Sequence, residues 1–268
     1  MINRKKSYNF KLIKGNEFFA VMSLLKKEVL RFGKVWVQTI LAPVVSSLLF
    51  LVIFSFLLNG RIEPLPGVSY SSFLVPGLIM MTLQQNAFSN TSSSLTQSKI
   101  SGNLIFLMLS PMRPWQWFIG YLGGSIVRGL ACGLALWFFC LFVVQTPLKY
   151  PLWTLWFALT SCIIMGGLGI IAGIYAEKYD QISAFQSFLI NPLTLLAGVF
   201  FSTNNLPDAW RIVSQFNPFF YLIDGFRFGV FGISDVSPWL SMFICNFSAL
   251  TISIICIYLI SIGWRLKN

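Results

Sequence analysis

The chain has 268 residues, of which 56% are hydrophobic and only 10% charged, against roughly 25% charged in soluble domains. That much apolar surface excludes an ordinary soluble fold and makes lipid part of the solvent. The formal charge of +11 does not mark a nucleic-acid binder: nine of the 19 Lys and Arg fall in the first 34 residues, and no nucleic-acid motif accompanies them.

Residues 1–16 are polar and basic and read as a cytoplasmic tail. No short apolar stretch with a small-residue cleavage site precedes the spans, so no cleaved signal peptide is expected. Over 17–35 the pattern turns amphipathic. Phe18, Met22, Leu25, Val29, Phe32 and Trp36 recur at helical spacing, with Lys27, Arg31 and Lys34 on the other side. This predicts a helix lying in the membrane interface. A first span follows at about 36–58, with Pro43 in its early part as a source of a kink. A short loop, 59–72, carries Gly60, Pro64, Pro66 and Gly67.

The second span begins at Phe73. It is apolar through Leu83, then polar from Gln84 to Gln97 without a helix breaker. Asn86, Asn90, Ser93 and Gln97 are spaced four, three and four apart, so a helix places them on one face. Such a face turns away from lipid. It lines a wet translocation path, or it is hydrogen-bonding glue between helices. Beyond Lys99 a short apolar segment runs to Pro111. A third span is expected at about 117–144 and a fourth at about 152–175. The fourth carries Gly166, Gly167, Gly169 and Gly173, which let helices approach closely. The fifth is expected at about 182–201. Residues 202–237 hold apolar pieces too short to cross and read as re-entrant helices buried against protein. A sixth span covers about 239–262. The expected fold is all-α and polytopic, with six transmembrane helices.

Orientation follows from Lys and Arg. With both termini inside, the inner segments hold fourteen of them and the outer segments four (Arg61, Lys149, Arg211 and Arg227). This places 99–114 in the cytoplasm.

Little enzyme chemistry is available. The chain has no histidine, no P-loop and no carboxylate pair in an apolar span. Its five cysteines, Cys132, Cys140, Cys162, Cys245 and Cys256, sit in apolar runs without metal spacing. Arg128 falls inside the third span, where a charge costs a few kcal/mol or more. It faces an anionic substrate or headgroup on the translocation path, or it snorkels. Asp224 and Arg227 share a helical face. They form a polar outer gate or a local ion pair.

Several patterns then carry a family likeness. They are Arg31 to Thr39 leading through Trp36-Val37-Gln38-Thr39 into the first span, Phe73-Leu-Val-Pro-Gly-Leu-Ile-Met-Met81, and Gly120-Tyr121 through Arg128-Gly129. The last set is Gly198-Val199-Phe200-Phe201, Leu206-Pro207, Asn217-Pro218 and Gly225-Phe226-Arg227. In this order, over about 17–264, the chain resembles the ABC-2 type transporter permeases, and among them the YadH-like inner-membrane permeases of Gram-negative bacteria. The resemblance implies a homodimer in the bacterial inner membrane bound to two separate ATPase subunits, which hold the ATP and magnesium; none is expected on this chain. It implies export of a lipid, glycan or drug-like amphiphile. The segment 99–111 would be the coupling helix, docking the ATPase through Lys99, Asn103, Leu104, Leu107 and Met108. The N-terminal helix would add Lys27 and Arg31. Ile105 and Phe106 stand where YadH-like members carry acidic residues, which implies a more hydrophobic docking surface. Two rival readings are an ion-coupled secondary transporter, which lacks support from intramembrane carboxylates or an internal repeat, and an intramembrane enzyme.

Overall fold

A computed structural model describes residues 17–58, 60, 64–203 and 206–263. The basic tail 1–16 lies outside the described residues. Among those described the chain is all-helical: α1 Glu17–Lys34, α2 Trp36–Leu58, α3 Tyr70–Ile100, α4 Leu104–Leu109, α5 Pro114–Cys140 and α6 Pro151–Tyr175. There follow α7 Tyr179–Phe185, a π-helical turn Gln186–Ile190, α8 Asn191–Leu195, α9 Asp208–Gln215, α10 Pro218–Phe231 and α11 Pro238–Ile262. Four helices open on proline (Pro114, Pro151, Pro218 and Pro238). There the missing N–H is no loss, and the fixed φ already suits a helix.

Among the described residues, four helices are long and apolar enough to cross a membrane: α2, α5, α6 and α11. α3 has 31 residues, about 46 Å at 1.5 Å per residue, so length does not exclude it. Its polarity keeps it out of that set, and the packing explains the polarity. Twenty-two of the 31 residues are buried within the protein. α3 is the central post, wrapped by α2, α5, α6 and α10. α2 and α11 are the reverse, with most side chains pointing outward.

The fifth predicted span departs from expectation. A helical stretch runs from Tyr179 but ends at Leu195 rather than near 201, and its middle widens into the π turn. Pro192 supplies the reason. It cannot donate to the helix ladder, and a π turn absorbs the mismatch just before it. Beyond Leu195 the chain turns sharply at Gly198, whose φ of +80° favours glycine. The third predicted span likewise ends at Cys140, four residues early, in turns over 141–143.

The tightest contact in the bundle is between α3 and α6. Thr91 Oγ1 donates to the Gly166 carbonyl at 2.8 Å. A Cβ added at Gly169 would lie 2.5 Å from the Phe88 carbonyl oxygen, a backbone atom that cannot step aside. Gly169→Val is therefore expected to overpack this seam and destabilise the protein by at least about 1–3 kcal/mol. The thermal midpoint of the variant in mild detergent checks this. A midpoint equal to that of the unmodified protein would refute the close approach.

Candidate functional site

α1 packs on α5 and is hydrogen-bonded to α3. Leu24 and Leu25 seat over Gly120 and Gly123, and Glu28 over Gly124, where an added Cβ would come within 2.6 Å of the Glu28 Cβ. These glycines make room for a fully buried carboxylate. Glu28 is held by the Ser94 hydroxyl at 2.6 Å, by Lys27 at 3.3 Å and by Arg31 at 3.3 Å. Arg31 then reaches across to α3. It donates to the Asn90 carbonyl at 2.7 Å, to Asn90 Oδ1 at 2.9 Å and to the Ser93 hydroxyl at 3.1 Å. Lys27 also donates to Ser98 at 3.4 Å, and its ammonium lies 5.5 Å from the centre of the Tyr121 ring. The result is a charged clamp between α1 and the polar half of α3. Glu28 did not stand out in the sequence, because an acid on the polar side of an amphipathic helix looks solvated. The available signal was its spacing: one residue from Lys27, three from Arg31, on a helix that must pack beside a polar span.

Next to the clamp is an open cavity of about 470 Å³, lined by Arg31, Thr39, Asn86, Ser93, Arg128 and Gln186 among others. Arg128 donates from Nε and Nη2 to Asn86 Oδ1 at 3.3 and 3.2 Å. Among the described residues, no carboxylate lines this space. Glu28 offsets Arg31, so Arg128 leaves the wall net positive. Of the five residues expected on a translocation path, Asn86, Ser93 and Arg128 meet here. Asn90 belongs to the same face but is covered by Arg31 and fully buried. Gln97 lies beyond the cavity, where the Tyr179 hydroxyl donates to it.

The predicted docking segment is divided by its own helical turn. α4 presents Leu104, Leu107 and Met108 inward, where they pack with Met112, Trp117 and Leu259. Ile105, Phe106 and Leu109 point outward and are 60%, 74% and 78% exposed. The face free for a partner is thus the latter set, with exposed Asn103 beside it. Of the residues expected to dock, Leu104 is buried and Leu107 and Met108 are half-buried: a short amphipathic helix turns one stripe inward, and these three are on it. Lys99 is also turned inward, donating to the carbonyls of Ile174 and Ala176 at the C-terminus of α6, where a cation is favoured. Lys27 and Arg31, expected to contact the ATPase as well, are committed to the α1 clamp.

At the opposite end, Asp224 and Arg227 do not pair with each other. Asp224 accepts from the backbone N–H of Asp235 and Val236 at 2.8 and 3.3 Å. Arg227 donates to the Gly198 carbonyl at 2.7 Å, with its guanidinium 3.9 Å from the centre of the Phe73 ring. Asp235 in turn accepts from Ser202 and from the backbone and hydroxyl of Thr203 at 2.7–2.9 Å. Both side chains therefore tie α10 to neighbouring loops. Buried backbone groups need partners, and these two charges supply them.

The profile of the ABC-2 type transporter family matches residues 20–231. The chain belongs to the ABC-2 type transporter family. It is 37% identical over 244 residues to the inner membrane transport permease YadH of Escherichia coli K12, covering 90% of this chain and 92% of that one. It is 24% identical over 240 residues to nodulation protein J of Rhizobium leguminosarum bv. viciae, covering 84% and 85%. For an ABC-2 chain, the matched stretch includes the α1 clamp, the cavity and α4.

Removing Glu28 tests the clamp. Glu28→Leu leaves Arg31 beside Asn90 without its counter-charge, and loss of one partner of a buried ion pair costs about 3–5 kcal/mol. Lys27→Leu removes an ammonium whose side chain is 46% exposed and is expected to cost less than about 1 kcal/mol. Equal thermal midpoints for the two variants would overturn this ranking.

Proposed function

We propose that this chain is the permease subunit of an ATP-driven exporter in the bacterial inner membrane. Two copies assemble with two cytoplasmic ATPases that bind ATP and magnesium. Six segments of each copy cross the bilayer, α3 and the broken α7–α8 helix among them, and both termini are cytoplasmic. The cargo is an amphiphile: a lipid, glycan conjugate or drug-like molecule. Membership of the family, and the likeness to a protein named as an inner membrane transport permease, support this reading.

The observation that carries it is the polar cavity beside α3. A wall of Asn86, Ser93 and Arg128 at membrane depth has no use against lipid, and it suits a polar or anionic headgroup drawn in from the cytoplasmic side. α4 lies at the same end. The exposed trio Ile105, Phe106 and Leu109 is the docking surface, and the inward-facing Leu104, Leu107 and Met108 transmit a push from the ATPase to α5 and α11. The region of Asp224 and Arg227 acts as the outer gate, held shut by the backbone contacts of those two side chains.

Two measurements test this. Co-expression with neighbouring genes followed by native mass spectrometry is expected to give two copies of this chain with two ATPases. Phe106→Asp and Leu109→Asp are expected to lose the ATPase while the permease stays monodisperse; retention of the ATPase by both would sink the docking surface. Labelling tests the path. All five cysteines are buried, so a charged maleimide should give little background. Ser93→Cys is expected to label and the fully buried Ser92→Cys to resist. Absence of labelling at 93 in every nucleotide state would leave the polar face as helix glue.

A further inference from the structure

A second cavity, of about 190 Å³, lies along the first half of α3, beside Val75, Ile79 and Leu83, whereas the polar one lies along Gln85 to Ser93, and the two share no lining residue. Ile79 of α3, Leu130 and Leu134 of α5, Leu155 and Ala158 of α6, and Phe226 of α10 line it. The segment 146–151 closes one end, pinned to α10 by backbone bonds from Lys149 to Val230 at 3.2 Å and from Tyr150 to Gly229 at 2.8 Å. Two wall hydroxyls are already committed: Thr146 accepts from Trp137 Nε1 at 3.4 Å, and Thr154 donates to the Tyr150 carbonyl at 3.2 Å. Water would find no partners in this space. An apolar cavity of about 150 Å³ stays dry in a soluble protein and takes up benzene-sized hydrocarbon.

The mouth identifies the occupant. Leu134, Leu148 and Leu155 form its edge, and all three are substantially exposed. Leu134 and Leu155 belong to α5 and α6, both long and apolar enough to cross a membrane. The cavity therefore opens sideways into hydrocarbon rather than to an aqueous phase. Lys149, exposed and adjacent to Leu148, sits where a lipid phosphate would lie.

We propose that this cavity holds one acyl chain of a membrane phospholipid, inserted between α5 and α6, with its phosphate near Lys149. The site is separate from the transport path. It requires α5 and α6 to lie in lipid, and it rests on the orientation argued above only for the leaflet, the outer one. The bound chain fills the gap behind α10 and stiffens the seat of the outer loops.

Native mass spectrometry of the full chain, washed in mild detergent, tests the proposal. One phospholipid per chain is expected to survive washing. Ala158→Phe, which fills the cavity, is expected to lower that occupancy about tenfold, and Leu250→Phe on the outward face of α11 to leave it unchanged. Lys149→Glu is expected to shift the retained lipid from anionic to zwitterionic headgroups. Equal retention by the wild-type and Ala158→Phe proteins, or retention of detergent instead of phospholipid, overturns the proposal. If Ala158→Phe does not fold, the wild-type chain in vesicles containing a phospholipid with a diazirine at one acyl terminus decides. Adducts concentrated on 130–137 and 151–158 support the site, and adducts spread evenly over α2 and α11 overturn it.

Discussion

A helix studded with Gln, Asn, Thr and Ser cannot face hydrocarbon, and α3 carries these residues through its whole second half. Each polar group there needs a partner inside the protein, because lipid offers none. Some are met within the helix, as when Ser92 and Ser98 donate back to the carbonyls of Phe88 and Ser94. Others are met across helices, as with Thr91 on α6 and Asn90 Oδ1 under Arg31, while both amide atoms of Gln84, the Asn90 Nδ2 and the Thr96 hydroxyl are buried without one among the described residues. A single such bond is worth only about 0.6–2 kcal/mol, but the demand for many at once dictates the layout. α6 must come close and so presents glycines. α5 must leave room for α1 and so presents glycines too. The outward-facing α2 and α11 bear no such demand and are plain apolar spans.

The two helices fastened to the second half of this post, α1 and α4, are held by different physics. α1 is held by charge: a buried carboxylate, two cations and a fork of hydrogen bonds from Arg31. α4 is held by apolar packing of Leu104, Leu107 and Met108. Charge clamps are directional and break over a short distance, whereas apolar contacts tolerate sliding. A force applied to α4 can thus be passed to α5 and α11 by small shear, while α1 keeps its register on α3.

The sequence reported well on whatever depends on period and composition. The amphipathic stretch from Glu17 and the apolar spans were legible because each follows from a local rule, whereas the starts at Pro114, Pro151 and Pro238 lie one to three residues before the expected ones. The fifth span misled because Pro192 and Gly198 act together: the apolar run continues through Phe201, but the backbone turns away first. Site residues were legible as faces and not as partners. The spacing of Asn86, Asn90 and Ser93 defined a face, yet only the packing shows Arg31 covering the middle of it. Asp224 and Arg227 had the spacing of a pair, but each was drawn to unsatisfied backbone on a different loop. In α4 the six-residue apolar run hid its own two-sidedness, since all six side chains are hydrophobic and only burial tells the stripes apart.

The polarity of α3 also constrains how the protein is made. Residue 100 leaves the ribosome 75 residues before α6 is complete at residue 175, an interval of roughly 4–15 s at about 5–20 residues per second. Throughout that time the second half of α3 has no partner for Thr91, and no glycine surface on α6 to lie against. A segment in that state is a poor substrate for release into lipid. The order of synthesis therefore requires α3 to be sheltered, by the insertion machinery or by α1 and α2 ahead of it, until its partner helix arrives, which makes the arrival of α6 the step that lets α3 settle in the membrane.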